Sequence, residues 1–121
     1  MIQNFKEAKK EHVRSLHKEL ARIKSKLIKL GAYQIILFGS AAREDLGLIS
    51  DIDLIVIMES DKNFIDRLAE FYQKIQPRNA DILIYTPAEF NRMKNENPFI
   101  KHALKEGRVI YERKQQISQR S

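Results

Sequence analysis

Val13, Leu16, Leu20, Ile23, Leu27 and Leu30 recur at alternating spacings of three and four residues, which sets them on one stripe of a helix with Lys and Arg opposite. This periodicity predicts the longest helix of the chain. It closes at Gly31, a residue that takes positive φ without a Cβ penalty. Over residues 5–30 such a rod reaches roughly 35–40 Å at about 1.5 Å per residue, longer than a domain of this size is wide, so part of it is expected to overhang and meet a partner. Tyr33 to Phe38 then reads Tyr-Gln-Ile-Ile-Leu-Phe, rich in β-branched and aromatic residues and closed by Gly39-Ser40, as expected of a buried strand. Ile52 to Met58 and Ala80 to Tyr85 are two further strands, with a turn or short helix and a loop over residues 39–50 between the first two.

Ser60 is a candidate cap for a helix carrying Phe64, Ile65, Leu68, Ala69, Phe71, Tyr72 and Ile75, which Pro77 ends. Thr86-Pro87-Ala88-Glu89 combines a cap residue, proline at the first helical position and a Glu three residues after the cap, so a short helix begins there. Asn97-Pro98 starts another that runs to Gly107, and Arg108-Val109-Ile110-Tyr111 is a last short strand. The order predicts an α/β (α+β) domain: a mixed β-sheet with helices packed chiefly on one side. Residues 1–30 form the amphipathic helix of that domain, 31–112 its core and 113–121 a polar, frayed tail.

Composition narrows the class. A chain of 121 residues holds one domain with one core, leaving a macromolecular acceptor to be completed by a second chain. No apolar run approaches the roughly 20 residues that span a bilayer and the N-terminus lacks a secretory pattern, so a cytoplasmic location with no membrane partner is the expectation. With no cysteine, side-chain metal ligands are limited to His and carboxylates. The formal charge of +6 is confined to residues 1–30, where nine Lys/Arg face three Glu, while the remainder balances at 13 basic and 13 acidic residues. A solvated outer helix face accounts for this excess better than nucleic-acid binding, because no aromatic residues interleave with the basic stripe. His12, His17 and His102 make no ligand set, and Tyr33, Tyr72, Tyr85 and Tyr111 read as packing residues.

The chemistry lies in Gly39-Ser40-Ala41-Ala42-Arg43 and in Ser50-Asp51-Ile52-Asp53-Leu54. Asp51 and Asp53 are two apart in an extended segment, so their side chains leave one face about 7 Å apart while Ile52, Leu54 and Val56 point to the other. Carboxylates so placed repel unless a cation lies between them, and hard oxygen ligands suit Mg²⁺ or Mn²⁺. Asp81, the one acid in the third strand, is a candidate third ligand. Three carboxylates suffice for two ions about 3.5–4 Å apart, the geometry that clamps attacking and leaving oxygens in nucleotidyl transfer. Gly39 lets a phosphate approach the backbone, the amides that follow favour negative charge, and the Ser40 hydroxyl can donate to it. Either motif alone is weak, since most Gly-Ser pairs are turns and most Asp-x-Asp pairs are exposed edges. The ordered combination is what carries information.

The run from Gly39 to Leu54 resembles the signature of the DNA polymerase β-like nucleotidyltransferase superfamily, Gly-Ser-x-Ala-Arg-Gly, five residues, then Ser-Asp-Ile-Asp-Leu. It is most similar to the minimal nucleotidyltransferases, over roughly residues 31–112 and including the ending Lys105-Glu106-Gly107-Arg108-Val109-Ile110-Tyr111-Glu112. The resemblance implies that Gly39 and Ser40, with Arg43 and Ser50 beside them, hold the nucleotide's phosphates. It also implies that Asp51, Asp53 and Asp81 bind two Mg²⁺ (or Mn²⁺) ions, with Asp81 helping to activate an acceptor hydroxyl that attacks the α-phosphorus of a nucleoside triphosphate, ATP being expected. It further implies a hetero-complex with an all-helical partner of the HEPN type, in which the chain is an antitoxin that transfers AMP to a partner tyrosine. One departure stands out. Glu44, followed by Asp45, replaces the family's glycine, and two negative charges beside a triphosphate favour the alternative, a non-enzymatic antitoxin that neutralises its partner by contact; Gly47 restores some flexibility to the loop, and Arg43 has Glu44 and Asp45 as competing structural partners.

Overall fold

The computed structural model describes residues 2–39, 42 and 52–114, with side chains from Lys6 onward. Along these residues the order is α1 (Ile2–Lys29), β1 (Gln34–Phe38), β2 (Ile52–Ile57), α2 (Phe64–Ile75), β3 (Ala80–Tyr85), α3 (Pro87–Glu96), α4 (Pro98–Glu106) and β4 (Arg108–Glu112). The strands form one mixed sheet in the order β3-β2-β1-β4. β1 is antiparallel to both β2 and β4, whereas β2 and β3 run parallel, the pairing that the intervening α2 makes possible.

Alternation along the strands divides the core in two. Ile35 and Leu37 of β1, Ile52, Leu54 and Val56 of β2, and Ile82 and Ile84 of β3 face Leu16, Ile23 and Leu27 of α1 and Phe71 and Ile75 of α2. Ile36, Ile55, Ile57 and Tyr85 face the other way, against Ile100 and Ala103 of α4 and Phe90 and Met93 of α3. The two longest helices therefore share one face of the sheet, and the two short ones cover the opposite face. Buried on both sides, β2 is continuous Ile, Leu and Val except at Asp53, the composition expected of a central strand with a parallel neighbour.

Helix ends follow the local chemistry. Gly31 takes φ +105° after α1. Thr86 and Glu89 form a reciprocal capping box with Pro87 in the first turn of α3, and Asn97 caps α4 through Phe99 N and Ile100 N. The expected cap of α2 needs correction: Ser60 instead accepts from Lys62 N, and Asn63 caps the helix by accepting from Asp66 N. Ser60 stands four residues before the first helical position, too early for its hydroxyl to reach the orphan amides of the first turn. Beyond β4, Arg113 N donates to Tyr33 O at 2.7 Å, and its guanidinium lies 4.4 Å from the Tyr33 ring centroid.

Arg67 joins the two layers. It is 1% exposed, and its guanidinium donates to Ile84 O and Glu89 Oε1 at 2.8 Å each, to Lys62 O at 2.8 Å and to Glu89 Oε2 at 3.2 Å. Its Nε meets no acceptor among the described residues. One side chain thus ties α2, the end of β3 and the start of α3. The Arg67 guanidinium holds the Glu89 carboxyl below the usual carboxylate range, against a partial burial that pushes it up, with Thr86 adding to the lowering. A carboxyl so depressed stabilises the fold at pH above its ordinary value near 4.3, and that contribution is lost as pH falls through the depressed value. Glu89→Ala, which leaves a buried guanidinium unpaired, is expected to destabilise the protein by about 3–5 kcal/mol in denaturant titration, and Arg67→Met combined with Glu89→Leu to recover most of that loss. A double variant as unstable as Glu89→Ala would show that the pair is more than a buried charge needing a partner.

Candidate active site

Strand register places the candidate residues. β1 and β2 pair with Phe38 opposite Asp53, so β1 ends where β2 begins. β2 and β3 pair in parallel with Asp53 beside Asp81. In a parallel pair, residues in register point to the same face of the sheet, on backbones about 4.8 Å apart. Asp53 shares its parity with Ile55 and Ile57, and Asp81 with Leu83 and Tyr85, all on the α3/α4 side. The two acids therefore project together at one end of the sheet, Asp53 partly buried and Asp81 exposed.

Gly39 follows directly. It takes φ +73°, and its carbonyl accepts from Ala42 N at 3.2 Å in a turn that leaves the end of β1. A methyl group at this position would lie 2.7 Å from Asp53 Oδ2, so the missing side chain is what lets the chain turn against that carboxylate. Backbone and carboxylate meet without a side chain between them, the close approach that phosphate and metal chemistry requires.

Of the expected site residues, the structure brings together Gly39, Asp53 and Asp81. Ser40, Arg43, Ser50 and Asp51 lie outside the described residues, as do Glu44, Asp45 and Gly47. Among the described residues no group of three or more potential ligands forms; Asp53 and Asp81 are two acids side by side, and Asp51, the third carboxylate expected from the sequence, lies outside the described residues. Their donor chemistry fits a hard divalent cation: two carboxylates on one face, beside the backbone of Gly39.

A second set of residues, not singled out from the sequence, positions Asp81. The turn before β3 is held by α1. Arg22 donates to Ile75 O at 2.9 Å and to Gln76 O at 3.0 Å, while Glu19 pairs with Arg22 and accepts from Arg78 N. Gln76 and Asn79 take φ of 50° and 53°, and Asn79 O accepts from Ile52 N at 2.8 Å, which extends the β2–β3 pairing to the threshold of the site. The Arg22 guanidinium beside Glu19 keeps that carboxyl below its usual range, with the Arg78 amide adding to the effect. On the outer edge of β3, the Tyr72 hydroxyl accepts from Ile82 N at 2.8 Å. The three-residue spacing of Glu19 and Arg22 was visible as a helical ion pair. Its tertiary acceptors were not, because they lie more than fifty positions away.

Gly39→Ala tests the turn. Positive φ costs a side-chain-bearing residue about 1–2 kcal/mol, and the added methyl collides with Asp53 as well. The variant is expected to unfold at lower denaturant concentration and to lose any function that depends on Asp53. Unchanged stability together with unchanged function would show that the close approach is incidental.

With this geometry in place, likenesses to other proteins acquire a structural meaning. In the search of solved structures the chain is similar to a protein of Sulfolobus solfataricus provisionally described as a nucleotidyltransferase, with a TM-score of 0.53 and 20% identity over 90% of this chain and 87% of that one. At such identity the likeness concerns the fold. No curated protein matches the chain. The family model described as polymerase beta, nucleotidyltransferase matches residues 21–116. That match runs from the middle of α1 past the end of β4 and contains Gly39, Asp53 and Asp81, and on its strength the chain belongs to the polymerase β nucleotidyltransferase family.

Proposed function

We propose that the chain is a metal-dependent nucleotidyltransferase that moves a nucleoside monophosphate, AMP from ATP, onto a hydroxyl of a partner protein. Family membership supports nucleotidyl transfer in general. The observation that carries the finer reading is the convergence of the Gly39 turn with Asp53 and Asp81 at one end of the sheet. In this scheme Gly39 and Ser40 receive the triphosphate against backbone amides, with Arg43 and Ser50 alongside. Asp51, Asp53 and Asp81 would hold two Mg²⁺ ions, whose chemistry is to neutralise charge on the triphosphate and lower the pKa of the acceptor hydroxyl. The hydroxyl oxygen forms a bond to the α-phosphorus, the bond from that phosphorus to the bridging oxygen breaks, pyrophosphate leaves with the electron pair, and the hydroxyl proton passes to Asp81 or to solvent beside it. Asp81 is the more exposed of the two described acids, which suits contact with an incoming acceptor.

The acceptor is a tyrosine of an all-helical HEPN-type protein, and the pair is a toxin and antitoxin acting in the cytoplasm. Among the described residues no helix is long and apolar enough to cross a membrane. A second reading is favoured by Glu44: with acids at positions 44 and 45 in place of the family's glycine, the chain neutralises its partner by contact alone.

Incubation with labelled ATP, Mg²⁺ and the protein encoded beside it separates the two. Transfer puts label on that protein, and Asp53→Asn or Asp81→Asn each lowers the rate by about 10²-fold or more, the scale on which removing one stabilising group acts. A tight complex without label under any nucleoside triphosphate would select the contact antitoxin.

A further inference from the structure

Among the described side chains, from Lys6 onward, the first buried one of α1 is Leu16, followed by Ile23 and Leu27. The helix begins at Ile2, so about 20 Å of it, at about 1.5 Å per residue, precedes the part that packs on the core. Its direction is fixed by its contacts. Glu19 and Arg22 bind residues 75–78, just before Asp81, whereas the helix ends beside Tyr33, whose amide donates to Ile57 O at the far end of β2. α1 therefore runs antiparallel to β1, and its first four turns project past the end of the sheet that carries Gly39, Asp53 and Asp81.

This projecting arm has a distinct surface. Lys6, Lys9, Lys10, Val13, Arg14 and His17 line, among the described residues, a concavity of about 550 Å³. They recur at three- and four-residue spacings and so share one helical stripe. Val13 is partly buried and the other five are exposed. The floor is apolar, made of Val13 and the methylene stems of the lysines, with Lys6, Lys9 and Lys10 at its rim and Arg14 beside them paired with Glu11. A phosphate backbone would use the rim and leave the floor empty, and residues 6–18 carry no Phe, Tyr or Trp on which a base could stack. An amphipathic helix with apolar residues on one stripe and carboxylates along its flanks fits both features, by area burial on the floor and charge complementarity at the rim.

The geometry points to the arm, Lys6 to His17, as the docking surface for an acidic amphipathic helix of the partner protein, which brings the acceptor to the sheet end bearing Asp53 and Asp81. This rests on the proposed transfer to a partner protein and adds the surface and the chemistry by which the partner is held.

The test uses the full chain and a helix-forming peptide of about 20 residues in which Leu recurs at three- and four-residue spacings with Glu opposite. Polyglutamate of the same length and a single-stranded RNA of equal charge serve as competitors, and binding is followed by fluorescence anisotropy without nucleotide or metal. The peptide is expected to bind more tightly than either competitor. Lys9→Glu/Lys10→Glu/Arg14→Glu and, separately, Val13→Asp are each expected to weaken it by about tenfold or more. The control variant Lys94→Glu/Lys101→Glu/Lys105→Glu carries the same change in net charge on α3 and α4 and is expected to bind as the parent does. Circular dichroism confirms that each variant folds. Peptide binding unaffected by the arm substitutions, equal weakening by the control, or tighter binding of the RNA would each overturn the assignment. Because Asp53→Asn is expected to slow transfer by about 10²-fold or more yet leave peptide binding intact, a chain that binds the peptide through the arm but transfers no nucleotide would sink the proposed reaction and not the docking surface.

Discussion

Every functional inference about this chain depends on the parallel pairing of β2 with β3 in the register that sets Asp53 beside Asp81. Side chains alternate along a strand, so a slip of one residue would send Asp81 to the α1/α2 face and bring Ile82 into its place. Hydrophobic burial specifies the register strongly: Ile82 and Ile84 are at most 1% exposed, and the slip would move both out of the core they help to build. The register is further held by groups outside the sheet. Asn79 O takes the Ile52 amide, the Tyr72 hydroxyl takes the Ile82 amide, and Arg67 takes the Ile84 carbonyl. The position of an acid at one end of β3 is thus governed by contacts along the whole strand.

These contacts divide the labour between the two ends of the sheet. At one end Arg67 and Glu89 bind α2, β3 and α3 into a unit, a buried charged pair whose loss on one side only would be costly. At the other end the ties among the described residues run to the backbone. Glu19 and Arg22 hold the turn over residues 75–78 through backbone groups, and Gly39 turns against Asp53 because nothing but hydrogen projects from its Cα.

Much of this was legible in the chain. The apolar stripe of α1, the β-branched runs of the strands and the Thr86-Pro87-Ala88-Glu89 start of α3 are local signals, each satisfied by residues a few positions apart, and the elements appear where those signals put them. The spacing of Asp53 and Asp81 relative to their strands was readable too, since both stand near the start of an extended run. What was not readable is what joins distant parts. Arg67, in the middle of α2, carries no local signal of burial, and only the fold shows it buried against three elements. The division of helices between two faces likewise depended on a topology that periodicity leaves open.

The claim that Asp53 and Asp81 form one cation site is tested most directly by Mn²⁺ titration of the full chain, followed by electron paramagnetic resonance in the presence of a non-hydrolysable ATP analogue. Asp53→Asn and Asp81→Asn are each expected to weaken Mn²⁺ binding by more than the roughly tenfold that loss of an outer-shell partner causes. An Asp81→Asn variant that binds Mn²⁺ as tightly as the parent chain, beside an Asp53→Asn variant that does not, would show that the neighbouring strands do not share a site.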